Sequence, residues 1–364
     1  MKKKIIIGSG GTGGHMFPAA ALADTLRAQN VEIILITDQR GMRFGQDFKN
    51  DTIIELPVVN IRKGGIIHKI KSAFQLLKSI IISIKIIQKH KANAVVGFGG
   101  YPAFPASMAS FLTRRPLFLH EQNAILGRTN KFLKKFSTAI FTSFEKTQHI
   151  STNDPSIFTG NLVRKMLHPY AEIPYPNLES EFHILVTGGS QGASVFSKIM
   201  PEMCNKLPKD VRQKLIVTHQ ARSEDITSTQ DHYKKYGIKA NILPFINDMG
   251  AAIAQSHLVI CRSGATTIAE LGYIGRPALF VPLPSAADDQ QTINANFATN
   301  LGAGRIINQD DFTPSYVASI ITAYYMHPET LMQAANSAKL LTKKEACHNV
   351  AQIIIDKIHS FNKP

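Results

Sequence analysis

The sequence predicts an α/β protein made of two successive units, each a parallel sheet with helices on its faces. Three observations carry that expectation. Short β-branched apolar runs alternate with helical stretches along all 364 residues, a length comfortable for two domains. A strand, a glycine turn and a helix open the chain at "KKIIIGSGGTGGH", and the same grammar restarts midway at "FHILVTGGSQGASVF". Before the restart, "HPYAEIPYPNLESE" (168–181) carries three prolines and little apolar periodicity, so it reads as the linker.

In chain order, "KKIIIG" is the first strand, "AAALADTLRAQ" the helix after its turn, and "VEIILIT" the second strand. The apolar run at the N-terminus is three residues long before glycine, too short for a signal peptide and suited to a buried strand. The segment 64–91 is helical in length and rich in Ile and Leu, yet Lys71, Lys78 and Lys85 recur every seven residues, with Gln75 and Lys89 nearby. Three lysines through its middle argue against a membrane span. Two readings stand: a core helix with one solvated stripe, or a helix that with its preceding loop Arg62–Lys69 meets an anionic membrane, Ile66, Ile67 and Phe74 entering the interface. "NAVVGFG" and "RPLFLHE" are further strands of the first unit. "QKLIVTH", "ANILPFI", "HLVIC" and "RPALFVPL" are those of the second.

Composition narrows the partners. Apolar content of 44% and charged content of 18% suit a folded chain. The formal charge of +15, from 41 Lys and Arg against 26 Asp and Glu, favours an anionic partner such as a polyphosphate or acidic lipid. No basic run interleaved with aromatics marks a nucleic-acid stripe, so no nucleic acid is expected. Cys204, Cys261 and Cys347 are widely separated and odd in number, which fits neither a disulfide framework nor a zinc site.

Three loops carry the chemistry. Gly8-x-Gly10-x-x-Gly13 has the spacing of a dinucleotide turn, and Asp38 follows the second strand where a ribose-binding acid would stand, so a nicotinamide-dependent oxidoreductase is one reading. The surplus Gly14 and His15 count against it. A histidine at a helix N-terminus has its protonation disfavoured by the helix dipole, so a neutral imidazole there can accept a proton; the plainer reading is a helix-start residue bonding backbone. The second loop, Gly188-Gly189-Ser190-Gln191-Gly192-Ala193, can turn amides and a hydroxyl to an anion, or be a tight turn only. In the third, "CRSGATTIAELGYIGRPALFVP", Ser263, Gly264, Ala265, Thr266 and Thr267 open a helix with small and hydroxylated residues, which lets a pyrophosphate approach the helix end. Glu270 lies about two turns on, where a carboxylate can hold two ribose hydroxyls. Gln290 and Gln291 in "DDQQTINA" supply amides for sugar hydroxyls. No Asp-x-Asp triplet occurs, so phosphate stabilisation is expected from helix dipoles and not from a metal.

Together "GGTGGH", "GFGGYPAFPA", "HEQN", "GNLVR", "GGSQGA" and "RSGATTIAELGYIGRPALFVPLP…DDQQTINA" resemble the MurG family of peptidoglycan glycosyltransferases, in order over the whole chain. The resemblance implies the GT-B architecture, two Rossmann-like domains with parallel sheets facing a central cleft. It implies an acceptor- and membrane-facing domain at 1–165, a UDP-sugar-binding domain at 166–344, and a C-terminal helix, about 345–364, able to pack back on the first. It implies transfer of N-acetylglucosamine from UDP to the 4-hydroxyl of the muramyl sugar of lipid I, with inversion, giving lipid II. No metal or other cofactor is implied. The expected partners are UDP-N-acetylglucosamine, lipid I, the anionic cytoplasmic face of the bacterial plasma (inner) membrane, where the protein would sit peripherally, and other cell-wall synthesis proteins.

Residue by residue, the resemblance places Gly264, Ala265, Thr266, Thr267 and Ser190 at the diphosphate, Glu270 at the ribose, and the backbone of Ile246 at the uracil. Arg164 also belongs to the implied donor site. Gln290 and Asn123 would bond the transferred sugar. Thr12, Gly13 and Gly14 would lie near the donor sugar or the acceptor diphosphate, His15 is the candidate base, and Tyr101 and Glu121 are acceptor-side candidates. Phe104 replaces a usually small position, and the loop 284–289 before Gln290, often basic in the family, holds two aspartates and no cation. A third reading, another inverting GT-B enzyme with a different acceptor, shares the donor motif but not "GGTGGH" with "HEQN".

Overall fold

The runs expected as strands pair in parallel, and they do so in two separate sheets. The computed structural model describes residues 2–57, 66–189 and 192–361, except the side chains of 66–69. It divides into a first unit of 1–165 with 344–364 and a second of 166–343.

In the first unit the strands are β1 (Lys4–Gly8), β2 (Glu32–Thr37), β3 (Thr52–Glu55), β4 (Ala94–Gly97), β5 (Leu117–Glu121), β6 (Ala139–Thr142) and β7 (Ser156–Phe158). They lie in the order β3-β2-β1-β4-β5-β6-β7. Helices α1 (Gly13–Ala28), α2 (Ile66–His90), α3 (Gly100–Leu112) and α4 (Arg128–Leu133) connect them. Side chains alternate across a strand, so Ile5 and Ile7 of β1 join one core and Ile6 the other. The second unit carries β8 (Phe182–Thr187), β9 (Leu215–Gln220), β10 (Lys239–Leu243), β11 (Leu258–Cys261), β12 (Ala278–Phe280) and β13 (Gly304–Ile306), in the order β10-β9-β8-β11-β12-β13. Its helices are α5 (Ser194–Lys206), α6 (Lys209–Lys214), α7 (Ile226–Lys235), α8 (Met249–Gln255), α9 (Ala265–Ile274), α10 (Gln290–Asn300), α11 (Pro314–Met326) and α12 (Pro328–Ala338). The last helix, α13 (Ala346–Phe361), returns to the first unit, where Val350, Ala351, Ile354 and Ile358 bury against Leu22 and Leu26 of α1.

Each sheet therefore has one point where the chain reverses its direction of build: between β1 and β4 in the first, between β8 and β11 in the second. The loops at the carboxyl ends of those strands splay apart and leave room for a ligand.

The expected linker is not loose. The Arg276 guanidinium, 1% exposed, donates to the carbonyls of Ile173 and Pro174 and to that of Ala254, and the Tyr175 hydroxyl donates to the carbonyl of His257. A 3-10 turn over Lys165–Tyr170 takes in its first residues and the rest is neither helix nor strand, but its carbonyls serve a buried cation, so it is strapped to the second unit.

Candidate functional site

At the first reversal point the loop after β1 meets the start of α3. The Asp38 carboxylate, 6% exposed, accepts from the amides of Gly11 and Gly41 at 2.9 Å each and from Arg40 Nε at 3.2 Å. Its work is to hold the glycine loop, and that occupies the oxygens a dinucleotide ribose would need. The loop packs so closely that a Cβ on Gly10 would lie 2.6 Å from Asp38 Oδ1 and 2.7 Å from Pro102 Cβ. Thr12 then caps α1 by position, in extended conformation and without a side-chain bond; Gly13 is buried and Gly14 exposed.

His15 follows one turn into α1. Part of the residue reaches the surface, yet the ring lies deep enough that burial lowers its pKa to about 4. The Asp38 charge opposes that shift and the Arg40 charge adds to it. The imidazole is therefore neutral at neutral pH, chiefly because it is desolvated; the helix dipole expected from the sequence is not required. Its Nδ1 is buried without a hydrogen-bond partner among the described residues, and its Nε2 faces the Gly99–Gly100 turn, 3.5 Å from where a Cβ on Gly99 would sit. Tyr101, half-buried, stands in the first turn of α3 just beyond.

Glu121 closes the same edge, at the end of β5. Oε1 accepts from the Asn123 amide and Asn123 Nδ2, and Oε2 from the Gly127 amide and Asn130 Nδ2. Four donors fill a carboxylate's acceptor sites. Burial raises its pKa, and those four bonds pull the other way. Glu121 thus organises the 121–130 loop, and the Asn123 side-chain amide donates to the same carboxylate. Sequence reading missed Asn130, 1% exposed, whose Oδ1 has no partner among the described residues, and buried His120, whose Nδ1 meets Gln122 Nε2. A polar residue in a short helix such as α4 gave no sequence signal.

Arg164 lies in the first unit, its guanidinium carbon 4.0 Å above the Phe17 ring of α1. An arginine stacks on an aromatic face that the chain brings within reach, and residues 160–164 run back past α1.

At the second reversal point three elements converge. Gly264 caps α9, whose first turn is Ala265, Thr266 and Thr267, with Glu270 buried two turns along. The Ser263 hydroxyl donates to the Gln291 carbonyl at 2.8 Å, Asn294 Nδ2 donates to the Ser263 carbonyl, and the Leu283 amide donates to Gln291 Oε1. The starts of α9 and α10 are therefore tied together, which brings Gln290 to the α9 N-terminus. Asp288 and Asp289, directly before it, both have positive φ, 50° and 52°. Ile246 is buried in the loop after β10. Ser190 lies outside the described residues.

The surface of α2 departs from the core-helix reading, since more than its lysines is exposed. Ile70, Phe74, Leu77 and Ile81 are 65%, 72%, 54% and 47% exposed, a stripe at helical spacing, with exposed Lys71, Lys78 and Lys85 along one flank. Its buried face holds Ser72, Ser79 and Ser83 with Ile86 and Ile87; the Ser79 and Ser83 hydroxyls bond back to the carbonyls of Gln75 and Ser79. Small hydroxyl side chains let the helix lie close to its neighbour while turning its bulk outward. Ile66, Ile67 and the loop from Arg62 lie outside the described side chains. Among the described residues no helix is long and apolar enough to cross a membrane.

The chain is similar in sequence and fold to known proteins. The model of the glycosyltransferase family 28 N-terminal domain matches residues 5–142, and that of its C-terminal domain matches residues 183–350. A UDP-N-acetylglucosamine–N-acetylmuramyl-(pentapeptide) pyrophosphoryl-undecaprenol N-acetylglucosamine transferase from Zymomonas mobilis is 39% identical, over 97% of this chain and 92% of its own. The crystal structure of MurG from Acinetobacter baumannii superposes with a TM-score of 0.80 at 31% identity, covering 97% of this chain and 99% of that one. A calicheamicin glycosyltransferase shares the fold alone, with a TM-score of 0.67 at 10% identity. The chain belongs to glycosyltransferase family 28 and, within it, to the MurG family.

Proposed function

We propose that this chain transfers N-acetylglucosamine from UDP-N-acetylglucosamine to the 4-hydroxyl of the N-acetylmuramyl sugar of lipid I, giving lipid II for peptidoglycan. The observation that carries this reading is the near end-to-end identity with transferases of that name. The first unit presents the acceptor and the second holds the donor. His15 Nε2 takes the proton of the acceptor hydroxyl as its oxygen attacks the anomeric carbon. The bond from that carbon to the β-phosphate oxygen breaks, its electron pair leaves on UDP, and the α-linked donor gives a β-linked product.

The α9 helix start at Gly264–Thr267, with Ser190 of the second glycine loop, meets the diphosphate as charge builds on it. Glu270 holds the ribose, the Ile246 backbone the uracil, and Gln290 the transferred sugar. Tyr101 serves the acceptor side, and the Thr12–Gly14 turn lies near the donor sugar or the acceptor diphosphate. The reaction needs no metal on this account, so turnover should survive a chelator, and loss restored by a divalent ion would overturn it.

The exposed stripe of α2 supports a second element of the reading. A surface of Ile70, Phe74, Leu77 and Ile81 flanked by lysines suits the headgroup region of an anionic leaflet, where lipid I is held. The protein is then peripheral, on the cytoplasmic face. Phe74→Asp should abolish sedimentation with vesicles containing phosphatidylglycerol while leaving UDP binding intact. The decisive assay offers UDP-N-acetylglucosamine with lipid I and, separately, with a diacylglycerol and an aglycone acceptor. Transfer to either unrelated acceptor in preference to lipid I would move the chain to the alternative GT-B reading.

A further inference from the structure

The guanidinium of Arg262 is 9% exposed and no carboxylate pairs with it among the described residues. Its Nη1 donates to the carbonyls of Val281 and Pro282 at 2.9 and 3.0 Å, its Nη2 donates to Gln309 Oε1 at 2.6 Å, and its carbon lies 5.3 Å from the Phe196 ring centre. Every acceptor is neutral. Burial pushes its pKa down, but an arginine stays charged in a protein. A buried charge without a counter-charge is costly, so a fold that keeps one there has a use for it.

Its place indicates the use. Arg262 sits between the end of β11 and Gly264, the cap of α9. The carbonyls it holds, 281 and 282, begin the loop that leads to Gln290, and Ser263 beside it holds the start of α10. The loop residues 283–289 contain two aspartates and no cation. The α9 helix end and this guanidinium are thus two positive sources fixed on one edge of the second unit.

We infer that Arg262 is the positioning residue of the donor diphosphate site, a fixed positive charge matched to the two phosphates and a clamp on the loop that carries Gln290. The inference rests on the donor reading of the second unit. In the absence of ligand the charge is preorganised and uncompensated; a nucleoside diphosphate supplies the missing counter-charge. It favours the leaving group most when that group is fully ionised.

The test measures binding of uridine, UMP and UDP to the full chain by calorimetry, with no acceptor present. Gln309→Glu places a carboxylate on the guanidinium with almost no change of shape, so it cancels the charge and keeps the clamp. UDP affinity should fall about tenfold while uridine affinity stays within about twofold, and UMP should lie between. Arg262→Gln should do the same, and Arg262→Lys should recover most of the UDP preference. UDP and uridine weakening by the same factor, or an unchanged UDP preference in Gln309→Glu, would overturn the assignment. Should the unaltered protein bind UDP no better than uridine, the donor reading itself falls, and the inference with it.

Discussion

The two reversal points share a topology and differ in chemistry. In the first unit the loop ends in a desolvated, neutral histidine, and the acids around it are saturated: Asp38 by two amides and Arg40, Glu121 by four donors. In the second unit a helix N-terminus stands beside a buried guanidinium that meets only neutral oxygens. On the proposed reading, one edge accepts a proton and the other accepts negative charge. The comparison teaches that the sheet supplies the place and a few side chains supply the function.

If that division holds, damage to the first edge should act on turnover alone. His15→Ala is expected to lower kcat by roughly two to four orders of magnitude, with UDP affinity unchanged. A loss below about tenfold would remove His15 from the role of base. The pH profile sharpens this. His15 must be neutral to act, and its pKa in the free protein is lowered to about 4. Its acid limb in kcat/KM should therefore fall below pH 5, and a limb at 6.5 would require a different or a solvated base.

Stability follows the same sign. His120 and His219 are buried and lowered to about 3, against 6.5 for an ordinary histidine. The unfolded chain binds more protons as pH falls through 6.5, so the native state is favoured fully above that value and loses ground down to about 3, by on the order of a few kcal/mol for each. Urea midpoints measured from pH 7 to pH 4 should fall steadily, and His219→Gln should flatten the slope.

Damage to the second edge should act on donor affinity. Glu270→Ala removes a buried carboxylate expected to hold two ribose hydroxyls, and charge-assisted hydrogen bonds are worth about 1.5–3 kcal/mol, so UDP-sugar binding should weaken by about ten- to hundredfold. The KM for lipid I should hardly move. Unchanged donor affinity would count against the ribose role.

Much of this was legible before any coordinates. The β-rich runs, the two glycine restarts and the small residues opening α9 are local patterns, and local pattern fixes where strands end and helices begin. What was not legible depends on which distant groups approach. Asp38 stands where a ribose-binding acid would, and only the arrival of Gly11 and Gly41 shows that it is occupied. That the Arg164 guanidinium stacks on the Phe17 ring is likewise a matter of packing and not of its motif. The heptad lysines of α2 are visible in the sequence; that serines join Ile86 and Ile87 on the buried face while an apolar stripe turns outward is not, because periodicity says which residues share a face and not which way it turns. Arg262 did leave a signal, a charge at the end of the apolar run "HLVIC", and it went unread.

The smallest expected effects separate two ways of building a tight turn. Gly99 has φ 81° and ψ −177°, a region that only glycine enters readily, and a Cβ there would lie 3.3 Å from Asn130 Nδ2 and 3.5 Å from His15 Nε2. Gly99→Ala should cost about 1–3 kcal/mol of stability and slow turnover by displacing the imidazole. Asp289, at φ 52° and ψ 27°, occupies the left-handed helical region, which aspartate tolerates. The strain relieved by Asp289→Gly is offset by the extra freedom glycine gains in the unfolded chain, so thermal stability should change by less than about 0.5 kcal/mol. A loss of UDP-sugar affinity without a loss of stability in that variant would mean that the rigid pair before Gln290 is part of how the second edge holds its sugar. Equal and small effects at Gly99 and Asp289 would mean that the first edge is not the tightly sterically defined proton-accepting wall that its glycines indicate.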